Sequence, residues 1–437
     1  MTLESQDVRE RRGMDTSVYW FKQQRPQGEP LRGTVSTEVV VVGGGIAGLT
    51  CAQALADRGV EVTVVEQTFC GAGASGKSSG FITPDSELDL SDLVANYGEA
   101  RGQALWEFAK SGLERIRGTI QTLAIDCDYQ LQDSLFVARS ARAFRKVIEV
   151  EHRTHASLGY HSTVYERASL EAILGSRVYQ GGIRYGGTFG INSFAYCRAL
   201  RSALAQQGVR IFEGTPVTRL TAGGVETPGG AVTARSVAVL TDYELPALGL
   251  AAPVYHIQTF LSISRPLRDH EIRTIFPGDR LMVWDTDLIY QYFRITGEGR
   301  LLLGGANLCS MYSSRERPSS EPVARKLYRY LFKHFPSLKL EIEHLWSGLI
   351  GVSQDFAPVA ARHDALPAVY FAGAAAGLPW AAALGEYLAE KITEGRAEFD
   401  DILSPGRSFP IGRRLQCLLG KPAAFALSHG IAKYLRK

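Results

Sequence analysis

The feature that most constrains what this chain can fold into lies between residues 38 and 66. Glu38–Val42 reads EVVVV, an unbroken β-branched run of the kind a parallel strand buried on both faces requires. GGGIAGL follows directly, then a helical stretch from Ile46 to Arg58, and Gly59 stands where a helix end calls for a left-handed residue. EVTVVE (Glu61–Glu66) reads as a second buried strand. Strand, glycine turn, helix, glycine, strand is a βαβ unit, and it predicts a parallel sheet with helices packed on it.

Within that unit Gly43, Gly45 and Gly48 match G-x-G-x-x-G. The first glycine allows the tight turn, the second lets a pyrophosphate approach the backbone, and the third permits close helix–strand packing. Ile46 and Ala47 open the helix, whose unpaired N–H groups and partial positive charge suit phosphates. Glu66 ends the second strand at the offset where an acid accepts ribose hydroxyls, and Gln67 beside it is counted with the site. A ribose 2′-phosphate would be repelled by Glu66, which disfavours NADP. A glycine turn alone signals little; the strand, helix, capping glycine and terminal acid around it make the dinucleotide reading specific.

A second glycine-rich stretch, GAGASGKSSG (Gly71–Gly80), comes straight after the acidic strand. Gly73, Ala74 and Ser75 are small enough to close over a pyrophosphate. Lys77, Ser78 and Ser79 offer charge and hydrogen bonds to a chain behind it.

Length and composition set the outer bounds. At 437 residues the chain is too long for one simple core, so two domains or one large composite are expected. A net charge of +3 gives no nucleic-acid footprint. The six cysteines form no C-x-x-C pair, against structural zinc or a disulfide framework and in favour of a reducing, cytoplasmic setting. The N-terminal residues carry no apolar run like a secretory signal, and no stretch approaches the ~20 apolar residues of a membrane span. No metal site is expected.

Along the chain, residues 1–35 read as a polar arm. Residues 92–125 and 138–158 read as helical, Tyr179–Asn192 as a glycine-rich loop, and Ser193–Gln207 as an amphipathic helix. Val209–Gly214 reads as a strand, and Leu288–Thr296 with Leu301–Gly305 as a hairpin. Residues 320–335 read as a basic helix, Ala368–Gly373 as a final strand and Pro379–Glu394 as a final helix.

The ordered segments GGGIAGL, VVE and GAGASGKSSG resemble the D-amino-acid-oxidase-like FAD-dependent flavoprotein superfamily. The likeness is nearest to the branch that contains gamma-glutamylputrescine oxidase, and more distant to glycine and sarcosine oxidases. It extends over most of residues 17–395, including SVYW (Ser17–Trp20), VRIFEGTPVTRL (Val209–Leu220), YFRITGEGRLLLGG (Tyr292–Gly305), WSGLIGVSQDFAPVAA (Trp346–Ala361) and VYFAGAAAGLPWAAALGEYLAEKI (Val369–Ile392). It implies a mixed α/β fold in which a Rossmann-type FAD-binding domain (36–100, 190–245 and 340–395) is interleaved with a substrate domain (101–189 and 246–339) on a largely antiparallel sheet. It also implies non-covalent FAD, with Val217 at the adenine, Gly373, Gly377 and Leu378 at the flavin ring, and Gly348 among the cofactor-binding residues. Pro379 suits the first turn of a helix, whose N-terminus would stabilise negative charge on a reduced flavin.

The implied activity is oxidation of the C–N bond of a small amine or amino acid by hydride transfer to flavin N5. Such chemistry needs position and electrostatics more than acid–base machinery. Three departures from the pattern bear on it. Glycine-oxidase-like enzymes carry a carboxylate-clamping arginine where this chain reads Gly348-Leu349-Ile350-Gly351, which favours an amine without an α-carboxylate. Lys77-Ser78-Ser79-Gly80 stands for the branch's Arg-Asn-Gly-Gly, and Ala376-Gly377-Leu378-Pro379 for its Gly-His-Gly-type turn. A 2-hydroxy-acid or polyol dehydrogenase, or a flavoprotein with structural FAD, therefore stays open as an alternative. So does the electron acceptor, oxygen or a carrier.

Strand alternation puts Tyr290, Tyr292 and Arg294 on one face, either as pocket residues, two rings for an aminium and a cation for a remote anion, or as an aromatic stripe facing the surface. Trp380 at the tip of the final helix is a further candidate. His256 and Gln258 read as satisfied core groups, and Cys309 as a buried thiol rather than a flavin attachment. The extension 396–437 carries Arg407, Arg413, Arg414, Lys421, Lys433, Arg436 and Lys437 with no acid from Leu403 onward. It reads as a helix docked on its own domain with its basic side outward, the alternative being contact with an anionic membrane or a partner subunit.

Overall fold

The computed structural model describes residues 15–22, 28–250, 253–287, 289–305 and 315–409, and beyond these 411–412, 415, 418–420, 423–428 and 430. Glu38–Val42 sits in a ten-residue strand, Gly33–Val42, flanked in parallel by Val62–Val65 on one side and Gly230–Val239 on the other. Val39 and Val41 face one hydrophobic core while Val40 and Val42 face another. Both faces of the strand are covered, which is why its sequence is β-branched without alternation. The parallel run continues outward to Arg210–Phe212 and to Val369–Gly373. Antiparallel strands Gly224–Thr227 with Arg219–Thr221, and Val359–Arg362, complete eight strands.

A second eight-stranded sheet runs in the order Ile342–Val352, Tyr255–Pro266, Arg300–Gly305, Gln291–Ile295, Met282–Asp285, Ser134–Ala138, Gly181–Tyr185 and Thr163–Glu166. Every pairing in it is antiparallel except Met282–Asp285 with Ser134–Ala138. One face packs Leu135, Val283, Phe293 and Leu303 against the helix Glu321–His334. The other face gathers Phe136, Trp284, Tyr290 and Tyr292 in a separate cluster with Ala143 and Ile148. The fold is therefore mixed α/β, with parallel and largely antiparallel sheets interleaved in sequence.

Several expected segments shift. The helical stretch at 92–125 is two helices, Leu90–Tyr97 and Glu99–Thr122, broken at Gly98, whose φ is +79°. The expected loop Tyr179–Asn192 contains the strand Gly181–Tyr185. Ile342–Val352 bonds along Tyr255–Pro266 in the second sheet, so a nucleotide-side segment beginning at 340 takes in a strand of the other sheet. Cys309 lies outside the described residues, as do Arg413, Arg414, Lys421, Lys433, Arg436 and Lys437. Among the described residues no helix is long and apolar enough to cross a membrane.

Candidate active site

Two helices point their N-termini into one cleft between the sheets. The first, Ile46–Asp57, has Gly45 at its N-cap, and no side chain caps it. The closing helix, Leu378–Thr393, has Gly377 at its N-cap, again with no side-chain cap. They cross closely because Gly385 has no side chain: a Cβ there would stand 2.3 Å from the Ala47 carbonyl oxygen. Gly48 does the same on the sheet side, where a Cβ would lie 1.9 Å from the Gly43 carbonyl oxygen. N–H groups at a helix start that no N-cap side chain takes, with the helix dipole behind them, suit an anion.

The cleft has a volume of about 980 Å³. Gly43, Gly45, Ala47, Glu66, Gln67, Gly73, Ala74, Ser75, Lys77, Ser78, Ser79, Val217, Gly348, Gly373, Gly377 and Leu378 all line it, as do Tyr290 and Tyr292. Ile46 and Gly48 do not. Ile46 is buried and contributes through its N–H, which donates to Ser75 Oγ at 3.0 Å.

Glu66 is held from behind and open in front. Its carboxylate accepts the Gly44 N–H at 2.7 Å and the Thr68 N–H at 2.9 Å, and among the described residues it enters no salt bridge. Burial pushes its pKa up, against those hydrogen bonds. A hydroxyl donor arriving from the cleft, as on a ribose, would relieve that desolvation. Thr241, which also lines the cleft, keeps a buried Oγ1 without a partner. Acid, orphaned hydroxyl and paired helix termini together fit an extended adenine dinucleotide such as FAD.

The loop Gly71–Gly80 is fixed by an arrangement the sequence did not announce. Three consecutive carbonyls are each taken by a donor from a different part of the chain: Lys77 O by Trp346 Nε1 at 3.0 Å, Ser78 O by Trp20 Nε1 at 3.1 Å, Ser79 O by Arg294 Nε at 2.8 Å. Lys77 Nζ itself is bound by Glu316 at 2.8 Å.

This corrects the expectation for Arg294. Its side chain shares a face with Tyr292, as alternation requires, but it is fully buried and absent from the cleft wall. Besides Ser79 O it donates to Ile191 O at 2.6 Å, and burial pushes its pKa down to about 10. It supports the loop and does not meet a substrate anion. Trp380 is likewise off the cleft. It is buried against Phe108 and donates Nε1 to Pro84 O at 2.9 Å, so it shapes the segment that follows the loop. His256 and Gln258 are satisfied, the one by the Tyr243 carbonyl at 3.3 Å, the other accepting the Arg317 N–H at 2.9 Å.

The remaining wall is aromatic and acidic. Phe81 lies edge-on to Tyr292 at 5.7 Å, and Tyr292 shares a hydrogen bond of 3.1 Å with Thr259 Oγ1. Tyr290 donates to Glu87 at 2.5 Å. Asp85, beside it, is buried, accepts from Thr83 Oγ1, and has its pKa pushed up to about 7 by burial. Lys77 is the one cation on the cleft wall among the described residues, facing Glu66, Asp85, Glu87, Asp242 and Glu244. Asp85, Glu87, Phe81 and Trp284 were not singled out in the sequence. Their signal, acids in PDSE and MVWD, is too common to stand out.

Comparison with known proteins agrees with this geometry. The family model described as FAD dependent oxidoreductase (DAO) matches residues 38–391. The chain is 26% identical over 368 residues to a probable oxidoreductase OrdL of Haemophilus influenzae, covering 81% of this chain and 82% of that one. It is 27% identical over 399 residues to gamma-glutamylputrescine oxidoreductase of Escherichia coli, covering 89% and 91%. Among solved structures, glycine oxidase from Geobacillus kaustophilus superposes with a TM-score of 0.74 at 18% identity, covering 86% of this chain and all of that one. L-proline dehydrogenase from P. horikoshii gives 0.72 at 21%, covering 86% and 98%. The chain belongs to the DAO family of FAD dependent oxidoreductases, and FAD is its cofactor.

Proposed function

We propose that this enzyme oxidises the C–N bond of a small amine that lacks an α-carboxylate. The observation that carries the reading is the charge of the cleft wall: its one cation among the described residues, Lys77, is held by Glu316, and the other ionisable groups facing the cleft are acids and tyrosines. An amino-acid carboxylate would find no bidentate partner there. Gly348, where relatives place an arginine nearby, leaves open space, since a Cβ on it would meet nothing closer than Lys77 Cβ at 3.9 Å. The likeness to gamma-glutamylputrescine oxidoreductase supports the broader class, oxidation of amines or amino acids.

When bound, FAD supplies the two-electron acceptor that takes a hydride at N5 from the carbon beside the nitrogen. The protein's part is to bind, orient and exclude water. Phe81, Tyr290 and Tyr292 form an apolar wall for the alkyl chain, and the acids hold the cationic substrate in the cleft until it gives up its proton. Non-covalent FAD is part of the proposal, as is the division into a nucleotide-binding and a substrate domain, supported by the membership of the two sheets. For the extension, contacts of Phe425 with Tyr255 and of Arg407 with Asp355 favour docking on the chain itself over a membrane.

The test is anaerobic bleaching of the purified holoenzyme by amines, amino acids and 2-hydroxy acids, with oxygen uptake against dye reduction to identify the acceptor. Reduction by amines with amino acids at least tenfold weaker in kcat/KM is the expected result. Reduction by hydroxy acids alone would overturn the reading, and reduction by nothing in the panel would point to structural FAD.

A further inference from the structure

A small chamber of about 50 Å³ adjoins the main cleft and shares Asp85, Ser86, Glu87, Trp284 and Tyr290 with it. Ser86 also borders the turn before the closing helix, where a Cβ on Gly377 would stand 2.2 Å from its Oγ. The flavin side of the cleft and the chamber are therefore joined through one short segment. We propose that this chamber binds a second, non-reacting ammonium of the substrate, so that the enzyme takes a diamine or longer polyamine-type cation, with one nitrogen at the flavin and another in the chamber. The inference rests on the amine-oxidising reading and narrows its substrate class.

Three observations carry it. The chamber walls bear five carboxylates, Asp85, Glu87, Asp89, Asp285 and Asp287. Among the described residues Asp85 and Glu87 enter no salt bridge. Second, the side chain of Asp285 is fully buried, and only one of its oxygens is satisfied. Oδ1 accepts the Asp287 N–H at 3.0 Å, while Oδ2 has no hydrogen bond. The nearest cation, Arg139 Nη1, stands 3.8 Å away, beyond hydrogen-bond reach. A buried carboxylate oxygen without a donor is costly, and an N–H group entering the chamber would relieve it. Third, the walls between the acids are aromatic. Trp284 stacks on Phe136 at 5.8 Å with 20° between planes, and Tyr290 completes the side toward the cleft.

Carboxylates with ring faces suit an alkylammonium, which needs N–H acceptors and tolerates apolar contact along its chain. A metal is the poorer candidate: among the described residues no group of three or more His, Cys, Asp or Glu could hold one. Arg139 pairs with Asp285 and Asp287 at 3.8 and 3.7 Å, and Lys326 feels the same two charges. Asp85, which accepts from Thr83 Oγ1, and Glu87, which accepts from Tyr290, enter no salt bridge among the described residues and stand at the junction with the cleft.

The experiment measures binding and reduction separately on the FAD-loaded enzyme. Calorimetry gives Kd for 1,4-diaminobutane and for butylamine under anaerobic conditions, with flavin bleaching followed on the same samples. The diamine should bind at least about tenfold more tightly, and Glu87→Gln and Asp285→Asn should each bring the diamine-to-butylamine ratio close to one. Equal affinities in the unaltered enzyme, or a ratio that survives both substitutions, would sink the chamber assignment. If calorimetry shows the preference and its loss in Glu87→Gln while no amine bleaches the flavin, the chamber stands and the amine-oxidation reading fails. Retained flavin absorbance checks folding; should Asp285→Asn not fold, the half-buried Glu87 carries the test.

Discussion

Arg294 shows how far one residue's sequence context can lead and where it stops. Its place on the Tyr292 face follows from alternation, but what lies opposite that face depends on residues 79 and 191, which no local pattern brings together. Arg294→Met keeps the length and removes both donors. Two buried carbonyls then lose their partners, at about 1–3 kcal/mol each. Urea denaturation should register that loss, and the FAD dissociation constant should rise with it; unchanged FAD affinity would show that the loop is fixed without the arginine. Asp85 gives a pH signature. Burial, with the Glu151 charge adding to it and Thr83 opposing, raises its pKa from an ordinary 3.8 to about 7. The folded state then holds more protons than the unfolded one across that window, so this group's contribution to stability is present below about pH 4 and is lost as pH rises through 7. Asp85→Asn should therefore stabilise the protein more at pH 8 than at pH 5, and equal differences at the two values would refute the burial argument. The ionised form is also the one that meets an ammonium, with Glu87 sharing the cleft wall, so diamine affinity should rise over the same range.

At the scale of elements, the βαβ unit was legible because each part has a local reason: buried strands must be β-branched, and a turn at positive φ needs glycine, as at Gly43 with φ +109°. The strand Gly181–Tyr185 was not legible. Its glycines look like a loop, yet a Cβ on Gly182 would press to 2.8 Å from the Phe136 carbonyl oxygen across the pair. Crowding by a neighbouring strand leaves no mark in the run itself. The crossing of the two helices that open on the cleft is likewise a matter of close approach. Gly385→Ala should force them apart, costing about 1–3 kcal/mol, with a larger effect on FAD retention than on secondary structure. Flavin fluorescence released on dilution, read beside far-UV circular dichroism, distinguishes the two; parallel losses would mean that the contact serves general packing only.

For the whole molecule, the cleft exists because two sheets drawn from alternating parts of the chain face each other, and neither sheet is complete in one stretch of sequence. The basic extension belongs to this scale. Phe425 stacks on Tyr255 at 5.1 Å, and Arg407 makes a two-pronged contact with Asp355 at 2.8 and 2.9 Å. Arg407→Ala should lower stability by about 1–3 kcal/mol, visible as a lower melting temperature with the absorbance of bound FAD intact at 20 °C. Loss of FAD together with stability would place the extension closer to the cofactor than its contacts indicate.

The clamp on the loop Gly71–Gly80 has a consequence for how the enzyme comes into being. Its three donors reside at positions 20, 294 and 346, so the loop that lines the cleft is spelled out early in synthesis and finished late. A ribosome that has released the glycine motif and both strands around it has made a dinucleotide fingerprint with an unfastened lid. Tight capture of FAD belongs to the nearly complete chain, and fragments ending before residue 346 should emerge colourless however well their first strands pair.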